Sequence, residues 1–139
     1  MRVLIDTNVV LDLLLDRPEF VDDAAGVWEA NEQGRLDAYI SAITPVNVFY
    51  IARKLKGAEK ARQAVVELMT AIRICPVDQI ALKNALSLPL IDYEDAVQLA
   101  SATASQLDAI VTRNTEDFKN VSLPVLTPKE ILAQIAAEL

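Results

Sequence analysis

Asp6 stands directly after a short apolar run, Arg2-Val-Leu-Ile5, and is followed by Thr7 and Asn8. A hydrophobic strand ending in that triplet carries a carboxylate to its C-terminal end, the place where α/β proteins bind ligands. Further carboxylates recur after later apolar segments: Asp92 and Asp95, then Asp117. Asp92 and Asp95 are three apart, so both fall on one face of a helix while Glu94 points elsewhere. Asp117 lies in Thr112-Arg-Asn-Thr-Glu-Asp-Phe118, directly after another apolar run. In that loop Thr112 and Asn114 can orient a water or an acidic ligand, and Arg113 can meet a phosphate. Carboxylates a few ångströms apart repel one another unless a cation or shared protons offset their charge. The set therefore points to an acidic site for a divalent ion. Such an ion polarises phosphoryl oxygens, lowers the pKa of a bound water and positions an in-line attack.

Each acid also has a plainer role open to it. Asp6 can cap the helix that follows it, and Asp92 can cap a helix whose positive end favours Asp95. Asp117 can sit in a solvated turn with Phe118 packed beneath. What argues for chemistry is the convergence of several such residues, together with what the chain lacks. With no histidine in 139 residues, Ser-His-Asp catalysis and His-ligated zinc are both excluded. Carboxylates must carry any catalysis, and they favour a hard cation, Mg2+ or Mn2+. The single cysteine, Cys75, permits no internal disulfide and reads as a small buried hydrophobe. A formal net charge of −7 disfavours broad nonspecific nucleic-acid binding, though it leaves room for a local basic patch. Arg53, Lys54, Lys56, Lys60 and Arg62 form one such concentration, either a solvated helical face or a contact for an RNA backbone or a protein partner.

The elements that must position these residues follow from the apolar pattern. At 53% hydrophobic with three glycines, the chain is expected to form one domain over residues 1–139, with no internal linker or repeat. Apolar runs such as Val9–Leu15 are too short to span a bilayer, and Asp6 and Asp12 interrupt any signal-like segment. A cytoplasmic protein without a membrane partner is the expectation. Strands are predicted at 2–5, 36–40, 72–77 and 109–112, with a short fifth at 125–126. Helices are predicted from Val9, from near Pro18 to about Glu32, from a Thr44 cap with Pro45 first in the helix to about Leu55, and over 58–71. Further helices follow an Asp78 cap and cover 92–106. Thr127-Pro-Lys-Glu130 has the form of a capping box opening the last helix. Strands alternating with helices predict an α/β fold, a parallel sheet covered on both faces. Phe49, Tyr50 and Ile51 are expected in the core or on a dimer face, and Trp28 in the core.

Four segments, Val3-Leu-Ile-Asp-Thr-Asn8, Ile40-Ser-Ala-Ile-Thr44, Asp95-Ala96 and Val111-Thr-Arg-Asn-Thr-Glu-Asp-Phe118, occur in the order found in PIN domains. Over residues 3 to about 126 the chain resembles this family, and especially its VapC-type toxins. The resemblance implies a three-layer α/β/α sandwich around a mostly parallel sheet of four to five strands. It implies a metal-dependent endoribonuclease that cleaves single-stranded RNA by attack of metal-activated water, leaving a 5′-phosphate and a 3′-hydroxyl. It further implies a small antitoxin partner and a symmetric homodimer. Asp6, Asp95 and Asp117 would be catalytic and hold Mg2+ or Mn2+, with Asp92 a further ligand. Thr7, Asn8, Asn47, Thr112 and Asn114 would give polar support, and Arg113, Arg53 and Lys54 would face RNA. One departure is specific: Asn47 stands where relatives carry a Glu, offering a carbonyl oxygen without charge. Metal affinity should fall, and a PIN-fold RNA- or protein-binding module with weak or no catalysis is the alternative.

Overall fold

β-Branched and leucine side chains build the centre of a five-stranded sheet in this computed structural model, which describes residues 1–138. The strands are β1 (Arg2–Ile5), β2 (Asp37–Ser41), β3 (Arg73–Cys75), β4 (Ala109–Val111) and β5 (Val125–Leu126). All neighbours pair in parallel, in the order β3-β2-β1-β4-β5. Alternation along β1 sends Val3 and Ile5 to one face and Leu4 to the other, because successive side chains in a strand point oppositely. Val3 and Ile5 join the larger apolar cluster, with Val10, Val27, Val48, Leu68 and Ile131. Leu4 joins a second cluster with Leu99, Ala102, Ile110 and Phe118.

Those clusters define the outer layers. On the first face lie α1 (Thr7–Leu14), α2 (Val21–Glu32), α3 (Thr44–Lys56), α4 (Ala58–Ala71) and α7 (Pro128–Ala137). On the second, α6 (Tyr93–Ala104) lies against the sheet and α5 (Gln79–Ala85) packs on it through small residues, Ala81 and Ala85 against Ala96 and Ala100. The molecule is thus an α/β/α sandwich with a wholly parallel sheet. Its connections run from β1 outward to β2 and β3, then return across the sheet to β4 beside β1. The reversal falls between β1 and β4, and the carboxyl ends of those two strands open the crevice where open α/β sheets bind ligands.

Several local expectations hold and others need correction, among them the start of α1, which is Thr7 and not Val9. Asp78 and Asp92 cap α5 and α6 through their carboxylates, and the capping box of Thr127 and Glu130 is complete. Helix α2 begins at Val21, three residues after Pro18, which opens a separate turn in which Phe20 N donates to Arg17 O at 3.0 Å. Thr44 is the first residue of α3, not its cap; Ile43 takes the cap position, Pro45 falls within the first turn, and the Thr44 hydroxyl turns to Thr7. Strand β3 ends at Cys75, short of Val77, since Pro76 has no N–H to give the ladder.

Candidate active site

Asp6 takes the N-cap position of α1 in extended conformation, but its carboxylate makes no cap hydrogen bond. It turns instead into the crevice between β1 and β4, where its own N–H is held by Val111 O at 2.9 Å. Thr112, the first residue after β4, donates its hydroxyl to Asp6 Oδ2 at 2.7 Å across 106 residues of chain. Gln98 Nε2, from α6, donates to Asp6 Oδ1 at 3.0 Å. Asp6 is only 3% exposed, and burial pushes its pKa above the ordinary carboxylate value. The bonds from Thr112 and Gln98 oppose that rise, as do the amides of Asn8 and Thr7, which lie near without reaching cap geometry.

Asp95 occupies the first turn of α6, one turn before Gln98. Gln98 Nε2 reaches Asp95 Oδ1 at 3.4 Å, so a single amide touches both carboxylates. Half-buried Asp95 has its pKa raised to about 7, first by desolvation and then by the negative charges of Asp6, Asp92, Asp117 and Glu94. Asp92 and Asp117 are exposed and line the same open cleft of about 450 Å3 as Asp95, together with Glu116, Lys119 and Asn120. Asp92 Oδ1 accepts from Asp95 N at 3.0 Å, the helix cap, and Glu94 does not line the cleft. Asp117 is carried by a 3-10 turn, Thr115–Phe118, whose Phe118 is buried beneath it. Asp117 N is held by Asn114 O, and Asn114 N by Thr112 Oγ1, so the loop hangs from the residue that grips Asp6.

The remaining sequence-identified residues fall at different distances from this centre. Buried Thr7 donates its amide to Gln98 Oε1 at 3.2 Å and shares a hydroxyl contact of 3.0 Å with Thr44. Asn8 is half-buried beside Thr7. Asn47 lies one turn beyond Thr44 on the same face of α3 and is half-buried, with no side-chain hydrogen bond among the described residues. Arg113 follows Thr112 but gives its guanidinium to Asp12, with Nε to Oδ2 at 2.8 Å and the second arm at 3.2 Å, and it lies over the Phe20 ring. Arg53 and Lys54 are exposed in the last turn of α3.

Sequence reading gave no role to two residues that matter here. Gln98 is fully buried, and the helical spacing that pairs Asp92 with Asp95 extends one further turn to it. Asp12 interrupts the apolar run Val9–Leu15, a sign that a buried charge needs partners; those partners are Arg113 and Arg17.

The donor set suits a hard divalent cation, because every ligating group at the site is an oxygen. Among the described residues no three acids already converge as a closed cage. Asp6, Asp92, Asp117 and Glu94 are near enough to raise the Asp95 pKa. An ion that keeps several waters and takes one or two carboxylates, as Mg2+ does, fits such an open arrangement.

Comparison with known proteins follows the same lines. The sequence pattern of the PIN domain matches residues 2–116. No curated protein sequence matches the chain. Among solved structures, a toxin-antitoxin complex from Klebsiella pneumoniae is similar at 29% identity and a TM-score of 0.67, covering 91% of this chain and 97% of that one. VapBC2 from Rickettsia felis, bound to a DNA fragment from its promoter, is similar at 17% identity and a TM-score of 0.73, covering 91% and 98%. VapC20 from Mycobacterium tuberculosis, a toxin that cleaves the sarcin-ricin loop, is similar at 14% identity and a TM-score of 0.63, covering 78% and 86%.

Proposed function

The chain belongs to the PIN-domain family, and from that premise we propose that it is a divalent-metal-dependent endoribonuclease acting on single-stranded RNA. The observation that carries the reading is the meeting of Asp6 and Asp95, from opposite parts of the chain, at the point where the sheet reverses. Asp6 and Asp95 would hold Mg2+ or Mn2+, and Asp117 and Asp92, which line the cleft beside Asp95, would be further ligands. When bound, the cation lowers the pKa of a water and neutralises charge on the phosphoryl group. The protein's own part is positional. Thr112 and Gln98 hold Asp6 in one orientation, the Thr112 hydroxyl also fixes the loop that carries Asp117, and the cleft beside Asp95 is open to solvent.

The chain acts in this proposal as a cytoplasmic toxin held by a small antitoxin, a role supported by its likeness to the Klebsiella toxin-antitoxin complex. No helix among the described residues is long and apolar enough to cross a membrane. A symmetric dimer is part of the proposal and is supported by an uncovered apolar groove on α3, α4 and β3, lined by Val46, Phe49, Tyr50, Met69 and Ile74. Tyr50 is 60% exposed there, so it is no core residue of the isolated chain.

Cleavage of labelled single-stranded RNA in Mn2+ or Mg2+, with and without EDTA, tests the activity. Metal-dependent cutting is expected, falling in Asp95→Asn by about 100-fold or more, the scale of losing one group that acts in the transition state. Asn47 favours a second reading, a binding module with little catalysis, since it brings no charge to the place of a usual ligand. Absence of cleavage across varied RNAs, with RNA binding retained, would establish that second reading instead.

A further inference from the structure

Gln98 is wholly buried, and both ends of its amide are used. Its oxygen accepts from Thr7 N at 3.2 Å, which fixes the amide's orientation, because Thr7 N can only donate. The nitrogen is thereby turned toward Asp6 Oδ1 at 3.0 Å and Asp95 Oδ1 at 3.4 Å, with one hydrogen for each. The flipped amide would set its oxygen against two anions and its nitrogen against an N–H. Asp6 Oδ2 is taken by Thr112, whereas Asp95 Oδ2 has no hydrogen-bond partner among the described residues and Asp95 lines the cleft.

We propose that Gln98 is a positioning residue that clamps Asp6 to Asp95, holding the two carboxylates as one pair that presents oxygen to a divalent cation; only this last function rests on the nuclease reading above. The chemistry explains the choice of side chain. A primary amide donates to two anions at once and adds no net charge. Lys or Arg would also draw the carboxylates together, but each would cancel the charge that attracts the ion. Thr7 completes the clamp from α1, and its hydroxyl contact with Thr44 ties α3 to the same point. One buried amide thus registers three helices around the carboxyl end of β1.

Gln98→Met keeps length and apolar bulk while removing the donor and the acceptor. Mn2+ binding, read by calorimetry or by the spectrum of the free ion, is expected to weaken about 10- to 100-fold, the scale for residues that orient metal ligands. In RNA cleavage, kcat should fall while KM stays within about twofold, because Gln98 touches no substrate. Unchanged Mn2+ affinity and kcat in a folded variant would overturn the clamp. A second measurement in EDTA stands free of the nuclease reading: the melting temperatures of Gln98→Met, Asp95→Ala, which removes the accepting oxygen, and the double variant. Coupled residues should depart from additivity by more than about 2 °C; additive losses overturn the clamp whatever the wild type does with metal. Wild type that neither binds Mn2+ nor cuts RNA defeats the nuclease reading alone, and the melting cycle still decides the clamp. If Gln98→Met fails to fold, Gln98→Asn, an amide too short to reach both acids, carries the same comparison.

Discussion

Asp95 sits where burial and four neighbouring acids all oppose its charge, and its pKa of about 7 is the measure of that opposition. The sign of the effect on folding follows from linkage. A carboxyl that titrates near 7 when folded and near 3.8 when unfolded binds its proton more tightly in the native state. Its contribution to stability is full below the unfolded value and is lost as pH rises through 7. Asp6, raised by burial, acts in the same direction. In EDTA, melting temperatures of wild type and Asp95→Asn should therefore diverge as pH climbs from 5 to 8, with wild type falling further. Added Mn2+ at pH 8 should restore wild type and leave the variant largely unmoved. Parallel curves for the two proteins would show that Asp95 is not under this electrostatic load. At this scale the sequence was informative about which residues are acidic and silent about their separation. Helical spacing brought Asp92 and Asp95 to one side, but no local pattern reveals that Gln98 reaches Asp6, 92 residues away.

Helix α6 concentrates most of this chemistry in its first two turns. Asp92 caps it, Asp95 follows in the first turn, and Gln98 comes one turn later. Both the helix and its cap were legible in the sequence, because capping is local: a short polar side chain meets an amide three residues on. Thr44 shows the limit of the same rule. Thr-Pro before an apolar stretch has the form of a cap, yet the buried hydroxyl bonds Thr7 on another helix, and α3 starts a residue earlier than a cap would allow. Tertiary partners outcompeted a local preference there. For Asp92 the two roles, cap and ligand, can be separated by substitution. Asp92→Ala removes both and should cost about 1 kcal/mol in stability. Asp92→Asn keeps a capping oxygen and should melt close to wild type. If Asp92 also holds metal, Asn will lower Mn2+ affinity without that loss of stability. An Asn variant equal to wild type in both respects would leave Asp92 as a cap only.

Across the whole molecule, alternating strands and helices were enough to predict a parallel sheet, whereas the strand order was not legible. Order depends on where each crossover returns, and the step from β3 back past β2 and β1 to β4 has no local signature. The same non-locality hides the second buried polar centre. Asp12 of α1 has a side chain only 2% exposed and holds Arg113, beyond β4, at 2.8 Å and Arg17, before α2, at 3.1 Å. This network fastens the first helical hairpin to the loop that carries Thr112 and Asp117, with the Arg113 guanidinium spread over Phe20 at 4.2 Å. A buried ion pair adds little over an apolar substitute, but breaking one strands the surviving charge. Asp12→Ala is therefore expected to cost about 3 kcal/mol, a fall in melting temperature of roughly 6–12 °C for a domain of this size. Arg17→Ala, at a partner whose side chain is 34% exposed, should cost no more than about 1 kcal/mol. If the two variants melt alike in thermal scans, the Asp12–Arg113 bond does not fasten the fold. A large fall in Asp12→Ala would mean that the loop bearing Asp117 is anchored from the far side of the sheet, and that Arg113 acts through this anchor.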